Sequence, residues 1–83
     1  MLAVAPLARA AAQIDVRQRS TTLSTAIRNM ESQTGYKFFY SDELARARVN
    51  AVIMRNATMH DILVQLFYDS GIDFKIEGRI VYL

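Results

Sequence analysis

The chain contains no cysteine and no tryptophan, and its 83 residues include three glycines, one proline and one histidine. Without cysteine there can be no disulfide framework and no thiol chemistry. Three scattered glycines do not form a phosphate-binding loop. The lone histidine, His60, supplies neither a set of metal ligands nor a catalytic triad. The commonest sequence signatures of small enzymes and metalloproteins are therefore missing.

Charge of either sign is also modest. Ten Lys and Arg residues face eight Asp and Glu residues, giving a net charge of +2. The charges are scattered, so they do not indicate a nucleic-acid or anionic-membrane partner. Asp42 and Glu43 are adjacent, and we interpret them as acidic residues at a helix start rather than an acid/base pair. We expect no catalysis, no cofactor and no bound metal.

What is present is apolar sequence, at 52% of residues against 22% charged, which is typical of a globular chain. The length allows one domain, whose core contributes on the order of 3–5 kcal/mol net. Residues 1–12 stand apart because nearly all are small and apolar. They are interpreted as the tail of an export signal, with small residues before a cleavage site, or as a disordered or Ala-rich helical extension. Residues 13–83 are predicted to form the domain.

An internal repeat organises that domain. Residues 14–40 and 50–76 are versions of one another, with Val52 aligned on Val16, Thr58 on Thr22 and Gly71 on Gly35. Each copy reads as a short strand, an amphipathic helix that a threonine begins and a glycine ends, and a second strand. Two copies are too few for a solenoid, so the repeat predicts two β-α-β units packed as one domain.

The predicted order is β-α-β-β-α-β-β, an α+β fold with two helices sandwiched between a two-stranded and a three-stranded sheet. The small sheet pairs residues 14–16 with residues 49–54, and the larger one joins residues 36–40 to a hairpin formed by residues 73–76 and 79–83. A three-residue loop at 77–79 would place Ile76 opposite Ile80, with Phe74 opposite Tyr82. The predicted core comprises Leu23, Ile27, Met30, Phe38, Ile62, Leu63, Leu66, Phe74 and Ile80.

The aromatic run at residues 36–40 allows a second interpretation. Ferredoxin-like RNA-binding modules share the order β-α-β-β-α-β and stack bases on aromatic side chains of their central strands. Here the strand at residues 49–54 has neither an aromatic residue nor a glycine. We therefore predict that Tyr36, Phe38 and Tyr40 belong to the core, and we keep RNA binding as an alternative.

The chain from residue 14 to 83 resembles the short N-terminal domain shared by secretins and TonB-dependent receptors. The segments that carry the resemblance are residues 22–27, 33–40, 55–63, 70–76 and 80–82, whose pattern consists of hydrophobic spacing and helix caps. The aromatic second strand is most similar to signalling domains of outer-membrane transducers. The resemblance adds no catalytic or cofactor-binding residues.

In such proteins, the domain lies in the periplasm ahead of the plug and barrel of the receptor. It contacts the periplasmic domain of an inner-membrane anti-sigma regulator, which couples ligand uptake outside to transcription inside. The resemblance therefore implies a protein-interaction domain that is not itself inserted in the membrane and binds no nucleic acid. The first periplasmic domain of a secretin, or a matching subdomain of the regulator, are the alternatives within the family.

A partner surface is predicted where polar groups are left over from the core. These groups lie in the turn at residues 41–48 and on the outer side of the following strand. The predicted partner-binding residues are Asp42, Glu43, Arg46, Arg48 and Arg55. Charges at the rim of an interface act mainly on association rate and partner choice, so such residues suit a signalling contact.

Overall fold

The computed structural model describes residues 14–83, and the assignment of residues 1–12 lies outside them. Within residues 14–83, two helices and seven short strands follow one another, with a 3₁₀ turn at Asp42–Leu44. In chain order they are β1 (Ile14–Gln18), β2 (Thr21–Thr22), α1 (Leu23–Thr34), β3 (Lys37–Phe39), β4 (Arg48–Val49), β5 (Val52–Ala57), α2 (Met59–Leu66), β6 (Lys75–Glu77) and β7 (Ile80–Tyr82).

The strands form three small sheets among the described residues, which confirms the α+β fold class. Strand β1 pairs antiparallel with β5, and the three-stranded sheet has the order β3-β7-β6, as the sequence predicts. In that sheet β3 runs parallel to β7, and β6 runs antiparallel to it. A second two-stranded sheet, β2 with β4, was not anticipated.

That additional sheet arises because the predicted strand at residues 49–54 is interrupted at Asn50. Val49 pairs with Thr21, while the chain from Val52 onward pairs with β1. Between them, the Asn50 amide N–H donates to the carbonyl of Leu66 at 3.0 Å. Its side-chain Nδ2 donates to the carbonyl of Gln65 at 3.2 Å and to that of Tyr68 at 2.8 Å. Asn50 thus donates to carbonyls at the end of α2 and in the turn that follows it, where helical partners run out.

The register of the terminal hairpin differs from the prediction. Ile76 lies opposite Val81, not Ile80, and Glu77 lies opposite Ile80, so the loop is the two-residue Gly78-Arg79. Gly78 has φ +61°. A glycine with positive φ at the first central position gives a turn whose twist matches that of the paired strands. Tyr82 consequently points away from the core, since a one-residue change of register moves side chains to the opposite face.

The predicted helix caps are largely confirmed. Thr58 accepts a hydrogen bond from the Asp61 amide at 3.1 Å, and Gly35 ends α1 with φ +79°. Thr22 occupies the N-cap position of α1, but its hydroxyl bonds to the hydroxyl of Thr25 instead of a backbone amide. Gly71 is not the end of α2: the helix stops at Leu66, and a hydrogen-bonded turn follows.

The core lies between the helices and the inner faces of the sheets. Seven of the nine predicted core residues are buried there, and Val81 takes the central position in the three-stranded sheet that the prediction gave to Ile80. Ile80 and Phe74 are only partly buried. Ile80 is displaced by the hairpin register, and Phe74 precedes β6 and packs its ring against Phe67, with centroids 6.3 Å apart. Tyr36 and Tyr40 pack against this core, as predicted.

Candidate interaction surface

Strand alternation in the antiparallel pair β1–β5 places buried side chains on one side and exposed side chains on the other. Val16 and Gln18 are buried beneath it, together with Val52 of β5. On the opposite side, Arg17 lies across from Ile53, and both side chains are exposed. We call this outward side the ribbon face. Its side chains come from alternate positions, and they are Asp15, Arg17, Arg19, Ala51, Ile53 and Arg55.

The free edge of β1 is covered by two amide side chains of α1. The Arg17 amide N–H donates to Gln33 Oε1 at 3.1 Å, and Gln33 Nε2 donates back to the Arg17 carbonyl at 3.1 Å. Asn29 Nδ2 donates to the same carbonyl at 3.2 Å and to Oε1 of the buried Gln18 at 2.8 Å. Gln33 therefore bonds β1 as a neighbouring strand would, so this edge cannot readily accept another strand.

A similar contact covers β3. The amide N–H of Phe38 donates to Glu31 Oε2 at 2.9 Å. Glu31 and Gln33 both belong to α1, so that helix occupies edge positions of two different sheets. The hydrogen bonds that these side chains make leave fewer exposed backbone groups where an unintended strand could pair.

The second edge of β5 has no corresponding cover among residues 14–83. The backbone N–H and C=O of Arg17 bond to side chains of α1, so they point away from β5. In the alternating antiparallel ladder, Arg17 and Ile53 are therefore a facing pair that exchanges no backbone hydrogen bonds. The N–H and C=O of Ile53 must then point away from β1. Within the described part of the chain, β1 is the only strand that pairs with β5. The outer edge of β5 is therefore a row of backbone donors and acceptors open to a partner.

A bulge shapes one end of this pair. Ile14 lies opposite Ala57, whereas Val16 lies opposite Met54, so β5 contains one extra residue. Asn56 adopts φ +56°, and its amide donates to Asp15 Oδ1 at 2.8 Å. Asparagine accepts the left-handed conformation more readily than most residues. Bulges of this kind re-aim side chains and are common at sheet edges.

The ribbon face combines positive charge with one strongly exposed apolar side chain. Ile53 is 73% exposed, the highest value among the large hydrophobic residues of the described chain. Shallow depressions lie on both sides of it. One of about 240 Å³ is lined by Arg17, Arg19 and Ala51, and another of about 390 Å³ by Asp15, Arg17 and Arg55, with Ile53 bordering both.

A second exposed patch lies on the outer side of the three-stranded sheet. The rings of Phe39 and Tyr82 stack with centroids 5.7 Å apart, and the two residues are 55% and 40% exposed. The carboxylate of Glu77 and the ammonium of Lys75 form a 3.0 Å ion pair on the neighbouring strand. This patch follows from the corrected hairpin register, which turns Tyr82 outward.

The five residues predicted as partner-binding are exposed, and four of them belong to one continuous segment. Asp42, Glu43 and Arg46 belong to the segment between β3 and β4, and Arg48 lies on β4. This segment packs beside the start of α1, where the Leu23 amide donates to the Ala47 carbonyl at 2.7 Å and the Ser24 amide to the Ala45 carbonyl at 3.0 Å.

Arg55 belongs instead to the ribbon face, on a different sheet from Arg48. The sequence analysis predicts a surface on the outer side of this strand, but it does not name Arg17, Arg19 or Ile53 as members. The alternation of apolar and polar residues at 14–18 is the signal that could have placed Arg17 on an outward side.

Residues 14–83 give little indication of a catalytic, metal-binding or membrane-spanning role. His60 is exposed, lies 3.6 Å from Asp61 Oδ1 and packs edge-on against Phe74. Over residues 14–83, no group of three or more His, Cys, Asp or Glu side chains could hold a metal ion. Neither α1 nor α2 is long and apolar enough to cross a membrane. The β1–β5 pair is therefore the best-formed candidate site in the described chain.

Residues 17–83 match the family model described as FecR, C-terminal. The chain belongs to this family. No curated protein sequence matches the chain. The FecR assignment, with the fold, supports a role in cell-surface signalling.

Two solved structures share the fold of this FecR C-terminal domain. The ferripyoverdine receptor of the outer membrane of Pseudomonas aeruginosa, bound to ferripyoverdine, matches 84% of the chain with a TM-score of 0.76 and 14% identity. The structure of Pseudomonas aeruginosa FpvA bound to heterologous pyoverdines matches the same share, with a TM-score of 0.75 and 14% identity. The chain spans only 9% of the length of each of these receptors.

Proposed function

We propose that this domain is the periplasmic signalling domain of a TonB-dependent outer-membrane receptor and contacts the periplasmic domain of an inner-membrane anti-sigma regulator. Through that contact, ligand uptake outside would alter transcription inside. The domain would stand ahead of the plug and barrel of the same receptor, on the periplasmic side of the outer membrane. The shared fold with an outer-membrane receptor supports this location.

The FecR family match gives weight to the related alternative, in which the chain is a subdomain of the regulator and its partner is the receptor. Both versions describe one contact from its two sides. A secretin's first periplasmic domain is the third alternative within the resemblance. All three assign the domain to protein binding and none to catalysis.

The observation that carries the proposal is the uncovered edge of β5 beside a positively charged face. Helix α1 covers the edge of β1 and one position of β3, while Ile53 stays 73% exposed on β5. Exposed strand edges promote aggregation, and native proteins usually blunt them. An edge left open next to an exposed isoleucine is best explained by a partner that covers it.

The structure supports the RNA-binding alternative less well than a protein contact. A ferredoxin-like module presents aromatic side chains on one four-stranded sheet. Here the strands of the described chain form three separate sheets, Phe38 is buried, and Tyr36 and Tyr40 pack against the core. Tyr36, Phe38 and Tyr40 therefore do not form a fully exposed aromatic platform.

The test is a calorimetric titration of the full 83-residue chain with the purified periplasmic domain of the cognate anti-sigma regulator. A parallel titration uses the N-terminal domain of the cognate receptor, and a third uses a single-stranded RNA oligonucleotide. Binding of either protein domain at physiological salt, without binding of the RNA, supports the proposal. The domain that binds shows whether the chain belongs to the receptor or to the regulator. Micromolar RNA binding without protein binding would overturn it.

A further inference from the structure

We propose that the outer edge of β5 binds an extended acidic segment of the partner protein, which adds to the sheet as a further strand. The segment would carry two acidic side chains at alternate positions on either side of an apolar one. This inference rests on the proposed function, because it names the chemistry of the partner that the signalling contact requires.

The backbone provides the first argument. Ile53 forms the non-hydrogen-bonded pair with Arg17, so its N–H and C=O point outward from the edge of β5. The Asn56 amide is already engaged by Asp15 Oδ1 at 2.8 Å, so the bulge ends the usable edge there. An added strand gains main-chain hydrogen bonds along this edge, and its alternate side chains supply specificity.

Side-chain alternation provides the second argument. Three side chains along β5 point outward at alternate positions, and they are Ala51, Ile53 and Arg55. Every second side chain of an added strand would lie beside one of these three. An apolar side chain fits beside Ile53, and a carboxylate fits beside Arg55. The small Ala51 leaves the 240 Å³ depression open, and a second carboxylate there would approach Arg17 and Arg19.

Charge provides the third argument. The ribbon face carries three arginines and one carboxylate, that of Asp15, which accepts a hydrogen bond from a backbone amide. Complementary charge speeds association and excludes partners of the wrong sign. The predicted pattern, acidic-x-apolar-x-acidic, reads the same in both directions, so it applies to a parallel or an antiparallel added strand.

Other occupants fit less well. Residues 1–13 include Arg9 and no acidic residue, so they cannot supply the two carboxylates. A second copy of the chain would bring the same arginines against one another. A nucleic acid would meet the positive charge but would leave the backbone donors and acceptors of β5 without strand partners.

The experiment follows backbone amide signals of the full 83-residue chain by NMR during titration with a synthetic peptide, Thr-Glu-Thr-Val-Thr-Glu-Thr. The matched control peptide has Lys in place of both Glu residues. We expect saturable shifts centred on the amides of Ile53 and Arg55 with the Glu peptide, weakening as salt is raised, and shifts at least about tenfold smaller with the Lys peptide.

Two pairs of variants separate the backbone contribution from the charge contribution. Ile53→Pro removes the outward N–H, whereas Ile53→Val keeps it; proline is tolerated at edge positions whose N–H faces solvent. Arg55→Glu reverses the charge, whereas Arg55→Lys retains it. We expect Ile53→Pro and Arg55→Glu to abolish the peptide-induced shifts and the two conservative variants to keep them. Dispersed amide spectra of each variant before titration establish that it folds.

Several results would overturn the inference. These are equal shifts with both peptides, shifts centred on Phe39 and Tyr82, concentration-dependent shifts of the chain alone, or stronger shifts of the same amides with single-stranded RNA. Failure of the inference is distinguishable from failure of the proposed function. If the regulator or receptor domain binds Ile53→Pro as tightly as the parent chain, the β5 edge is wrong and the signalling contact stands.

Discussion

Gln33 and Arg17 are joined by two reciprocal hydrogen bonds, each 3.1 Å long, between the side-chain amide of one and the backbone of the other. The Gln33 amide thereby takes the place of a neighbouring strand on one side of β1. The two edges of the same sheet are consequently unlike: one is closed by α1 and the other is open. Because of this asymmetry, a further strand could join this sheet only at the outer edge of β5.

Replacing Gln33 with alanine should open the closed edge. We expect Gln33→Ala to lower the free energy of unfolding by about 1 kcal/mol, because the two bonds are exposed and water replaces part of each. Hydrogen exchange at the Arg17 amide should become faster. Gln65→Ala is the matched control, since Gln65 is an exposed glutamine of α2. Equal exchange of the Arg17 amide in the parent chain and Gln33→Ala would contradict the described role of Gln33.

Asn50 stabilises the end of α2 from outside the helix. Asn50→Ala removes the two side-chain hydrogen bonds to the Gln65 and Tyr68 carbonyls and should cost about 1–3 kcal/mol. Asn50→Asp should cost more, because a carboxylate cannot donate and faces the negative end of the helix dipole. Urea unfolding measures both, with the control Asn56→Gly, which retains the left-handed backbone at φ +56°. An Asn50→Asp variant as stable as the parent chain would refute this capping role.

Leu63 tests the core. Its side chain is fully buried, so Leu63→Ala should destabilise the domain by about 2–5 kcal/mol through lost contacts and a cavity. The adjacent Val64 is 47% exposed, and Val64→Ala should change stability by less than about 1 kcal/mol. Thermal unfolding followed by circular dichroism compares the two. Similar effects of both substitutions would mean that α2 packs through a different side.

The turn between β3 and β4 remains a predicted part of the partner contact. Arg46→Glu combined with Arg48→Glu should leave thermal stability almost unchanged, because exposed charges contribute only about 0–1 kcal/mol per pair. Binding of the regulator domain should weaken, more at low salt than at physiological salt. Arg28→Glu with Lys37→Glu is the charge-matched control. Unchanged binding by the Arg46 and Arg48 variant at both salt concentrations would remove the turn from the contact.

The parts of the fold that were predictable are those encoded by local patterns. Such features depend only on neighbours in sequence, and the structure contains them. They are strand alternation, the apolar faces of both helices, the Thr58 cap and the left-handed residue Gly35. The internal repeat was informative about element order. It was misleading at the end of α2, where Asn50, far away in sequence, completes the helix instead of Gly71.

The hairpin register and the ribbon face were harder to predict for one reason. Each depends on which side of a strand faces another element, and a change of one residue inverts that choice. Burial of the whole apolar set, Phe74, Ile76, Ile80 and Tyr82, favoured a three-residue loop. The turn preference of Gly78 favoured two residues, and the stack of Tyr82 on Phe39 partly shields the apolar surface turned outward.

Arg55 shows how far the site could be predicted. The strand pattern indicated an exposed arginine after residue 54, which the structure contains. Its neighbours on the surface, Arg17 and Ile53, come from pairing between β1 and β5 with a bulge at Asn56. No local signal defines which residues lie across from one another in such a pair. Only the structure therefore showed that Arg17, Ile53 and Arg55 share one surface.

The most direct test of the account measures amide hydrogen exchange in the full 83-residue chain, free and bound to the periplasmic domain of the cognate anti-sigma regulator or, if only that binds, of the cognate receptor. The account predicts a complex at physiological salt in which the amides of Ile53 and Arg55 become protected, while those of Phe39 and Tyr82 keep their exchange rates. Absence of a complex with either domain would contradict the signalling role. A complex whose protection is confined to the three-stranded sheet would contradict the placement of the contact on β5.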